Sequence, residues 1–264
     1  MPEARSGTAG RTPRRTLRLS VLAVGAALLM VLFVSLGTWQ VQRLAWKRDL
    51  IARVDARVHA APVPAPPAAQ WPAVTPASHE YLRIALRGRY LHDKEALVQA
   101  TTALGSGFWV LTPLQQDDGS VVIVNRGFVP PPARDPVQRG LAAPEGTVRV
   151  EGLLRISEPK GGFLRSNDPA GDRWFSRDVS AIAAARGLPA AQVAPYFIDA
   201  DDTPGRAANA WPAGGMTVIR FPNSHLVYAI TWYALALMVL AGTVYIWRHE
   251  PSHRTRGAAR SDAP

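Results

Sequence analysis

Two long apolar runs lie near opposite ends of the chain, at residues 19–39 and 226–247, and neither contains an Asp, Glu, Lys or Arg. A helix rises about 1.5 Å per residue, so roughly 20 apolar residues span the hydrocarbon core of a bilayer. Both runs therefore predict transmembrane helices. The first run is too long for the apolar region of a signal peptide, and no small-residue cleavage site lies before the polar stretch at residues 40–43. We interpret it as an uncleaved anchor.

The segment between the two runs shows the pattern of β-strands. Leu82, Ile84 and Leu86 alternate with less apolar neighbours, which is typical of a half-buried strand. Further candidate strands are separated by turns rich in Gly, Pro and Asp. They are residues 96–100, 108–114, 121–125, 147–156, 174–176, 196–200 and 217–221. These short strands predict a mainly antiparallel β domain.

Two helical features accompany the strands. Residues 179–186 are predicted to form a short helix, because Asp178 can cap its start and Gly187 ends it. The first apolar helix is predicted to continue through Val54, since apolar positions recur at helical spacing. It ends before the proline-rich residues 61–78, which favour extended geometry and act as a linker or as a strap along the domain.

Much of the formal net charge of +10 lies in the terminal tails. Residues 1–18 hold five Arg and one Glu, and residues 248–264 hold four Arg, one Glu and one Asp. Positive residues beside membrane helices favour the cytoplasmic side and contact anionic lipids. The second run decides the orientation, because only Arg220 closely precedes it while four Arg follow it. The charge therefore indicates topology and bilayer contact rather than nucleic-acid binding.

The predicted fold class is a membrane protein in which two terminal transmembrane helices flank a mainly antiparallel β (α+β) extracytoplasmic domain. We expect a multi-pass protein of the cell inner (plasma) membrane, with both termini cytoplasmic and the central domain periplasmic. The predicted segments are a basic cytoplasmic tail at 1–18, helices at 19–40 and 223–247, the β-rich domain with its strap at 41–222, and a cytoplasmic tail at 248–264.

The sequence predicts no catalytic residues. The chain has no cysteine, which excludes disulfides, thiolate metal ligands and Cys nucleophiles. Residues 249–253 read HEPSH, but Pro251 breaks the helix that a zinc-protease motif of this spacing requires. The sequence contains no Gly-rich phosphate loop, nucleophile elbow or paired-carboxylate motif. We therefore expect a protein that is not an enzyme.

His225 is the candidate with metal chemistry. It directly precedes the second apolar run and is followed closely by Tyr228, Trp232 and Tyr233. Tyr and Trp commonly form belts at membrane interfaces, where a polar His needs no ligand. The imidazole is also a common axial ligand of haem iron. An interfacial anchor and a haem ligand both remain open.

Five segments, in their order along the chain, resemble the surfeit-locus-one family of cytochrome c oxidase assembly proteins. The resemblance spans about residues 19–247, and two terminal spans around a β-rich domain of this size agree with it. The segments are LGTWQVQRLAWK, GFWVLTPL, VNRGFVP, WFSRDVSAIAA and NSHLVYAITWYALAL.

This resemblance implies an assembly factor for haem-copper cytochrome c oxidase that assists delivery or insertion of haem a into the catalytic subunit. That subunit is the expected partner, with haem a synthase as a second one. The alternative is a structural membrane interaction protein that stabilises the assembling subunit without binding haem. Direct haem binding, the oxidase served and the oligomeric state remain open.

The resemblance also implies a haem a site at the second span. His225 is the expected iron ligand, and Arg43 or Arg220 is expected to meet the propionates. The matched positions near the two spans are Gly37, Trp39, Arg43, His225, Tyr228, Thr231, Trp232 and Tyr233. The expected cofactor-binding set is His225, Tyr228, Trp232, Trp39, Arg43 and Arg220.

The central motif of Asn125, Arg126 and Gly127 is the expected partner-binding site. Arg is enriched at interface hot spots, which favours a docking role for Arg126. The competing interpretation is a strand-ending turn, in which Asn and Gly tolerate positive φ and Arg126 is solvated.

Overall fold

The computed structural model describes residues 12–162, 164–219 and 223–249, with side chains from residue 17 onward. The chain divides into two compact units, a helical unit of residues 1–50 and 221–264 and a strand-rich unit of residues 51–220. The described helices are α1 (Thr12–Val58), α2 (Pro76–His79), α3 (Val179–Ala185) and α4 (His225–His249). Short 3₁₀ helices span Ala68–Ala73, His92–Lys94, Pro131–Arg134, Pro136–Arg139 and Ala190–Gln192.

Seven strands form one mixed sheet within the described residues. They are β1 (Val63–Pro64), β2 (Arg83–Tyr90), β3 (Ala96–Thr102), β4 (Gly105–Gln115), β5 (Val121–Val129), β6 (Thr147–Ile156) and β7 (Val193–Ala200). Their order is β1-β2-β6-β7-β5-β4-β3. The β1–β2 and β5–β7 pairs are parallel, and the other pairs are antiparallel. The predicted mainly antiparallel sheet is confirmed.

The helical unit contains both apolar runs of the sequence. Among the described residues, two helical segments are long and apolar enough to cross a membrane, Leu17–Val58 and His225–His249. Most of their large apolar side chains are exposed, whereas the small side chains of Ala229 and Ala236 are buried. Small residues let two helices approach closely in a bilayer. Two terminal apolar helices are thus confirmed, and their insertion into a bilayer stays a prediction.

Five strands of the second unit close into a small barrel, because β2 pairs with β4 as well as with β6. The closing pairs are Arg89 with Gln115 and Tyr90 with Leu114. The barrel interior holds buried side chains from β2, β4, β5, β6 and β7, including Ile84, Leu114, Val124, Leu154, Tyr196 and Ile198.

Strand β5 is buried on both faces. Val122 and Val124 belong to the barrel interior, whereas Val121 and Ile123 belong to a second cluster on the outside. Successive side chains of a strand point to opposite faces, so a continuous apolar run is expected where both faces are covered. Helix α3 covers the outer face with its buried side chains Val179, Ile182 and Ala183.

Helix α3 forms as predicted. The Asp178 carboxylate accepts a hydrogen bond from the backbone N–H of Ala181 at 3.1 Å, which satisfies a donor that the first turn leaves free. The helix ends at Ala185, and Gly187 follows with φ of +65°. Helix α1 continues past Val54 to Val58, which confirms the predicted extension.

The proline-rich residues 61–78 are a strap rather than a free linker. They contain β1, a 3₁₀ helix and most of α2, so the predicted extended geometry is wrong for residues 68–73 and 76–78. Pro76 is the first residue of α2. The N–H of a first helical residue has no partner within the helix, so proline, which lacks an N–H, costs no hydrogen bond there. The carbonyl oxygen of Pro66 accepts hydrogen bonds from Trp71 Nε1 and from the Tyr196 hydroxyl, both at 3.0 Å. The Tyr196 bond holds the strap against the barrel, and the Trp71 bond lies within the strap.

Two predicted strands are wrong. Residues 174–176 make only an isolated bridge between Trp174 and Val98, because the adjacent chain turns sharply at Asp172, whose φ is +49°. Residues 217–219 form no strand, and the rest of that predicted strand lies outside the described residues. The Thr217 hydroxyl instead donates to Asp199 Oδ2 at 2.9 Å, so a side-chain contact anchors this segment.

Candidate functional site

His225 contacts a polar residue of the other long helix. Its Nδ1 atom lies 2.8 Å from Oε1 of Gln40, whose side chain belongs to α1 and is buried. When an amide oxygen accepts this bond, the hydrogen is on Nδ1, and the neutral ring keeps its lone pair on Nε2. Metal-binding histidines commonly donate their other ring N–H to such an acceptor. In that tautomer the pair orients the imidazole and leaves Nε2 as the ring nitrogen with a free lone pair.

Packing contacts hold α1 and α4 together beside this pair. The rings of Phe33 and Trp232 stack with their centroids 5.8 Å apart. The Thr38 hydroxyl lies 3.2 Å from the Tyr233 hydroxyl. A Cβ atom at Gly37 would lie 2.8 Å from the Tyr233 ring, so the absence of a side chain at Gly37 makes room for that ring. The matched positions Gly37, Trp232 and Tyr233 thus form one helix contact.

Among the described residues, no hydrogen bond or ring contact joins His225 to Trp39, Arg43 or Tyr228. Trp39 and Tyr228 are each 53% exposed. The Arg43 guanidinium carbon lies 4.2 Å from the centroid of the Trp46 ring on its own helix. Arg220 lies outside the described residues.

Sequence reasoning missed Gln40, Phe33 and Thr38. Gln40 directly follows the first apolar run, and a polar side chain at the end of an apolar helix is the sequence feature that could have indicated a contact with the other helix. Its role depends on which face of α1 contacts α4, and a uniformly apolar run does not reveal that face.

The central motif is a β-bulge inside β5, not a strand-ending turn. Between the paired residues on either side, Arg126 and Gly127 lie opposite the single residue Val110 of β4. Gly127 has φ of +124°, and a Cβ atom there would lie 2.1 Å from the carbonyl oxygen of Ala213. The bulge therefore lets the segment at residue 213 pass close to β5. The predicted turn is wrong because β5 continues to Val129.

Asn125 faces the outside of the barrel and binds a buried carboxylate. Its Nδ2 atom donates to Asp199 Oδ1 at 2.7 Å, and its Oδ1 atom accepts from the backbone N–H of Gly127 at 3.1 Å. Arg155 and Arg177 each donate to Asp199 at 3.1 Å. These groups line a polar cavity of about 220 Å³ on the outer face.

The charges of this cluster compensate one another. Burial alone lowers the pKa of Arg177, but the carboxylates of Asp199 and Glu158 outweigh it and raise that pKa. Arg177 also donates to Glu158 Oε1 at 2.6 Å. Hydrogen bonds and opposite charges satisfy Asp199, so the cluster joins strands rather than presenting a free reactive group.

Arg126 points the other way, into the barrel, and its side chain is only 10% exposed. Its guanidinium carbon lies 5.1 Å from the centroid of the Tyr90 ring, and its Nη1 atom lies 3.9 Å from Glu95 Oε2. Burial lowers the pKa of Arg126 and raises the pKa of Tyr90 to about 12. The expected solvated arginine is therefore wrong, and the partner-docking role of Arg126 stays a prediction.

Within the part of the chain that the structure describes, no group of three or more His, Asp or Glu side chains is placed to hold a metal ion.

These features define a class of protein in which two terminal apolar helices flank a strand-rich domain. A glutamine of the first helix forms a hydrogen bond with a histidine of the second. A family model described as the SURF1 family matches residues 27–237. Surfeit locus protein 1 of Rattus norvegicus is 35% identical over 241 residues, which cover 84% of this chain and 73% of that protein. The chain therefore belongs to the SURF1 family, which confirms the resemblance.

Two further relatives agree. Surfeit locus protein 1 of Homo sapiens is 35% identical over 240 residues, covering 83% of this chain and 74% of that protein. The SURF1-like protein of Monosiga brevicollis is 37% identical over 235 residues, covering 83% of this chain and 84% of that protein.

The bulge generates a stability prediction. Gly127→Ala should lower the free energy of unfolding by about 3 kcal/mol, because positive φ and the overlap with Ala213 add their costs. Gly119→Ala is the matched control, because Gly119 also has a positive φ, of +83°, but a Cβ atom there would point into open space. It should lose about 1–2 kcal/mol from backbone strain alone. Urea unfolding of both variants, followed by Trp fluorescence, measures the difference; equal losses would contradict the close approach at Ala213.

Proposed function

We propose that this chain is a membrane-anchored assembly factor for haem-copper cytochrome c oxidase, which assists delivery or insertion of haem a into the catalytic subunit. Membership of the SURF1 family supports the proposal. The observation that carries its haem part is the bond between His225 and Gln40. In this role haem a is cargo, the chain is not an enzyme, and haem a synthase is a second partner.

The helical unit offers chemistry that fits haem a. The Gln40 contact occupies Nδ1 of His225 and leaves Nε2 for the iron. Exposed apolar side chains on α1 and α4 suit an isoprenoid tail. Arg43 is a cation just beyond the first apolar run and would meet a propionate, as would Arg220.

The proposed location is the inner (plasma) membrane, with both tails cytoplasmic and the strand-rich unit extracytoplasmic. Two apolar helices at the ends of the chain support two crossings, and the arginines that follow α4 favour a cytoplasmic C-terminus. The strand-rich unit would then be available to the assembling oxidase on the extracytoplasmic side.

A second candidate is a structural interaction protein that steadies the assembling subunit and never binds haem. The packing of Gly37 against Tyr233 supports it, because this contact joins α1 and α4 through protein atoms alone. In that case the Gln40–His225 bond is only an interhelical hydrogen bond.

The assembly role predicts a specific deletion phenotype. A strain that lacks this protein should contain less assembled, haem-a-containing oxidase, while respiration through oxidases without haem a continues. Difference spectra of membranes and oxidase activity measure both quantities. Normal oxidase content in the deletion strain would refute the assembly role, and expression of the intact chain from a plasmid is the control.

The haem role predicts that His225→Ala loses haem a when the protein is purified from cells that make this haem. Gln40→Leu should lower occupancy by about tenfold or more, because the imidazole loses the partner that orients it. Tyr228→Phe is the matched control, since it changes an exposed residue of the same helix and keeps the ring. Absorption spectra at equal membrane abundance measure occupancy. An unchanged spectrum in well-expressed His225→Ala would favour the structural candidate.

The topology predicts the behaviour of reporter fusions. A reporter before residue 18 or after residue 264 should be active only if it functions in the cytoplasm, and one inserted at Pro66 only if it functions outside. Paired alkaline phosphatase and fluorescent protein fusions distinguish the two sides. Cytoplasmic behaviour of the insertion at Pro66 would overturn the arrangement.

A further inference from the structure

The strand-rich unit contains a cavity of about 630 Å³ at one end of the barrel. The cavity opens where β7 ends at Ala200. Strand β6 pairs with β7 only from Gly152 onward, so residues 147–151 of β6 have no β7 residue opposite them. Its apolar wall includes Leu141, Val148 and Val150. Small-molecule sites commonly have volumes of about 300–1,000 Å³ and are often found in the mouths of barrels.

The cavity lining carries three arginines and three carboxylates. Each carboxylate has an arginine partner at hydrogen-bond distance. The pairs are Arg83 with Asp201 at 2.5 Å, Arg149 with Glu151 at 2.7 Å, and Arg206 with Asp202 at 2.7 Å. These acidic groups are therefore already compensated.

Arg126 is the lining arginine that lacks such a partner. Its guanidinium makes no hydrogen bond to any residue in the described ranges, although its side chain is nine-tenths buried. The nearest carboxylate belongs to Glu95, at 3.9 Å. Glu95 is held by Arg139, whose Nη1 and Nη2 atoms donate to its two oxygens at 2.9 and 2.6 Å.

This arrangement is unfavourable for Arg126 alone. A buried cation loses hydration, and it regains that energy only from hydrogen bonds or a close anion. The Tyr90 ring beneath the guanidinium supplies a cation–π contact, which leaves the N–H donors unused. The donors of Arg126 that reach the cavity are therefore open to an acceptor from outside the chain.

We propose that the barrel-mouth cavity binds a small amphipathic carboxylate, whose two oxygens accept hydrogen bonds from the Arg126 guanidinium. The planar fork of arginine matches a carboxylate in geometry. The apolar part of the ligand packs on Leu141, Val148 and Val150. A single negative charge matches the one lining arginine without a hydrogen-bonded carboxylate, whereas a phosphate dianion would carry one charge more. This site is independent of the proposed haem function.

The test uses the full-length protein in detergent, with 4-phenylbutyrate as the probe and 4-phenylbutanol as its uncharged analogue. Calorimetry should show that 4-phenylbutyrate binds with higher affinity than the alcohol. Arg126→Gln should weaken its binding by about tenfold or more, and Arg126→Lys should retain part of the affinity. The matched control is Arg87→Gln, which alters an exposed arginine of β2 outside the cavity lining and should change affinity by less than about twofold.

Four binding results would overturn the proposal. They are no binding of 4-phenylbutyrate to the unmodified protein, equal binding of the alcohol, equal losses in the Arg126 and Arg87 variants, and preferential binding of inorganic phosphate. A melting temperature separates loss of binding from loss of folding. Arg126→Met should melt at or above the temperature of the unmodified protein, because it removes a buried cation without hydrogen bonds and leaves Glu95 paired with Arg139. A large decrease would assign Arg126 to the structure instead and overturn the site.

Discussion

The strand-rich unit depends on one buried carboxylate, that of Asp199, whose side chain is 6% exposed. Removing a carboxylate from water costs several kcal/mol unless hydrogen bonds and opposite charges replace its hydration. Asn125, Arg155, Arg177 and Thr217 supply the four side-chain donors. They come from β5, from β6, from the segment before α3 and from the segment after β7. One charge therefore joins parts of the chain that are distant in sequence.

The same constraint explains the central motif. Asn125 turns outward because Asp199 needs its amide, and the alternation of side chains then turns Arg126 into the barrel. The bulge at Arg126 and Gly127 bends β5 and leaves room for the backbone at Ala213. The motif therefore connects two environments, a hydrogen-bonded anion outside the barrel and, inside it, a cation whose nearest carboxylate lies 3.9 Å away.

Local patterns predicted β2, β6 and α3, because alternation and capping depend on neighbouring residues. They did not predict the strap, which is held by contacts between Pro66, Trp71 and Tyr196. The burial of Arg126 depends on closure of the barrel, which brings the distant Tyr90 beneath it, and no nearby residue signals that closure. His225 was identified by its chemistry, whereas its partner Gln40 becomes visible only once α1 and α4 are paired.

The contacts of the helical unit separate helix pairing from imidazole orientation. Interhelical side-chain hydrogen bonds in a membrane contribute only about 0.6 kcal/mol on average, so in a bilayer the Gln40–His225 bond would add little to association. The close approach of Gly37 to Tyr233 and the stack of Phe33 on Trp232 supply the packing. Because packing already holds the helices, the main consequence of the bond is to fix which nitrogen of His225 carries the hydrogen. An interfacial anchor does not need a fixed tautomer, whereas a ligand for iron does.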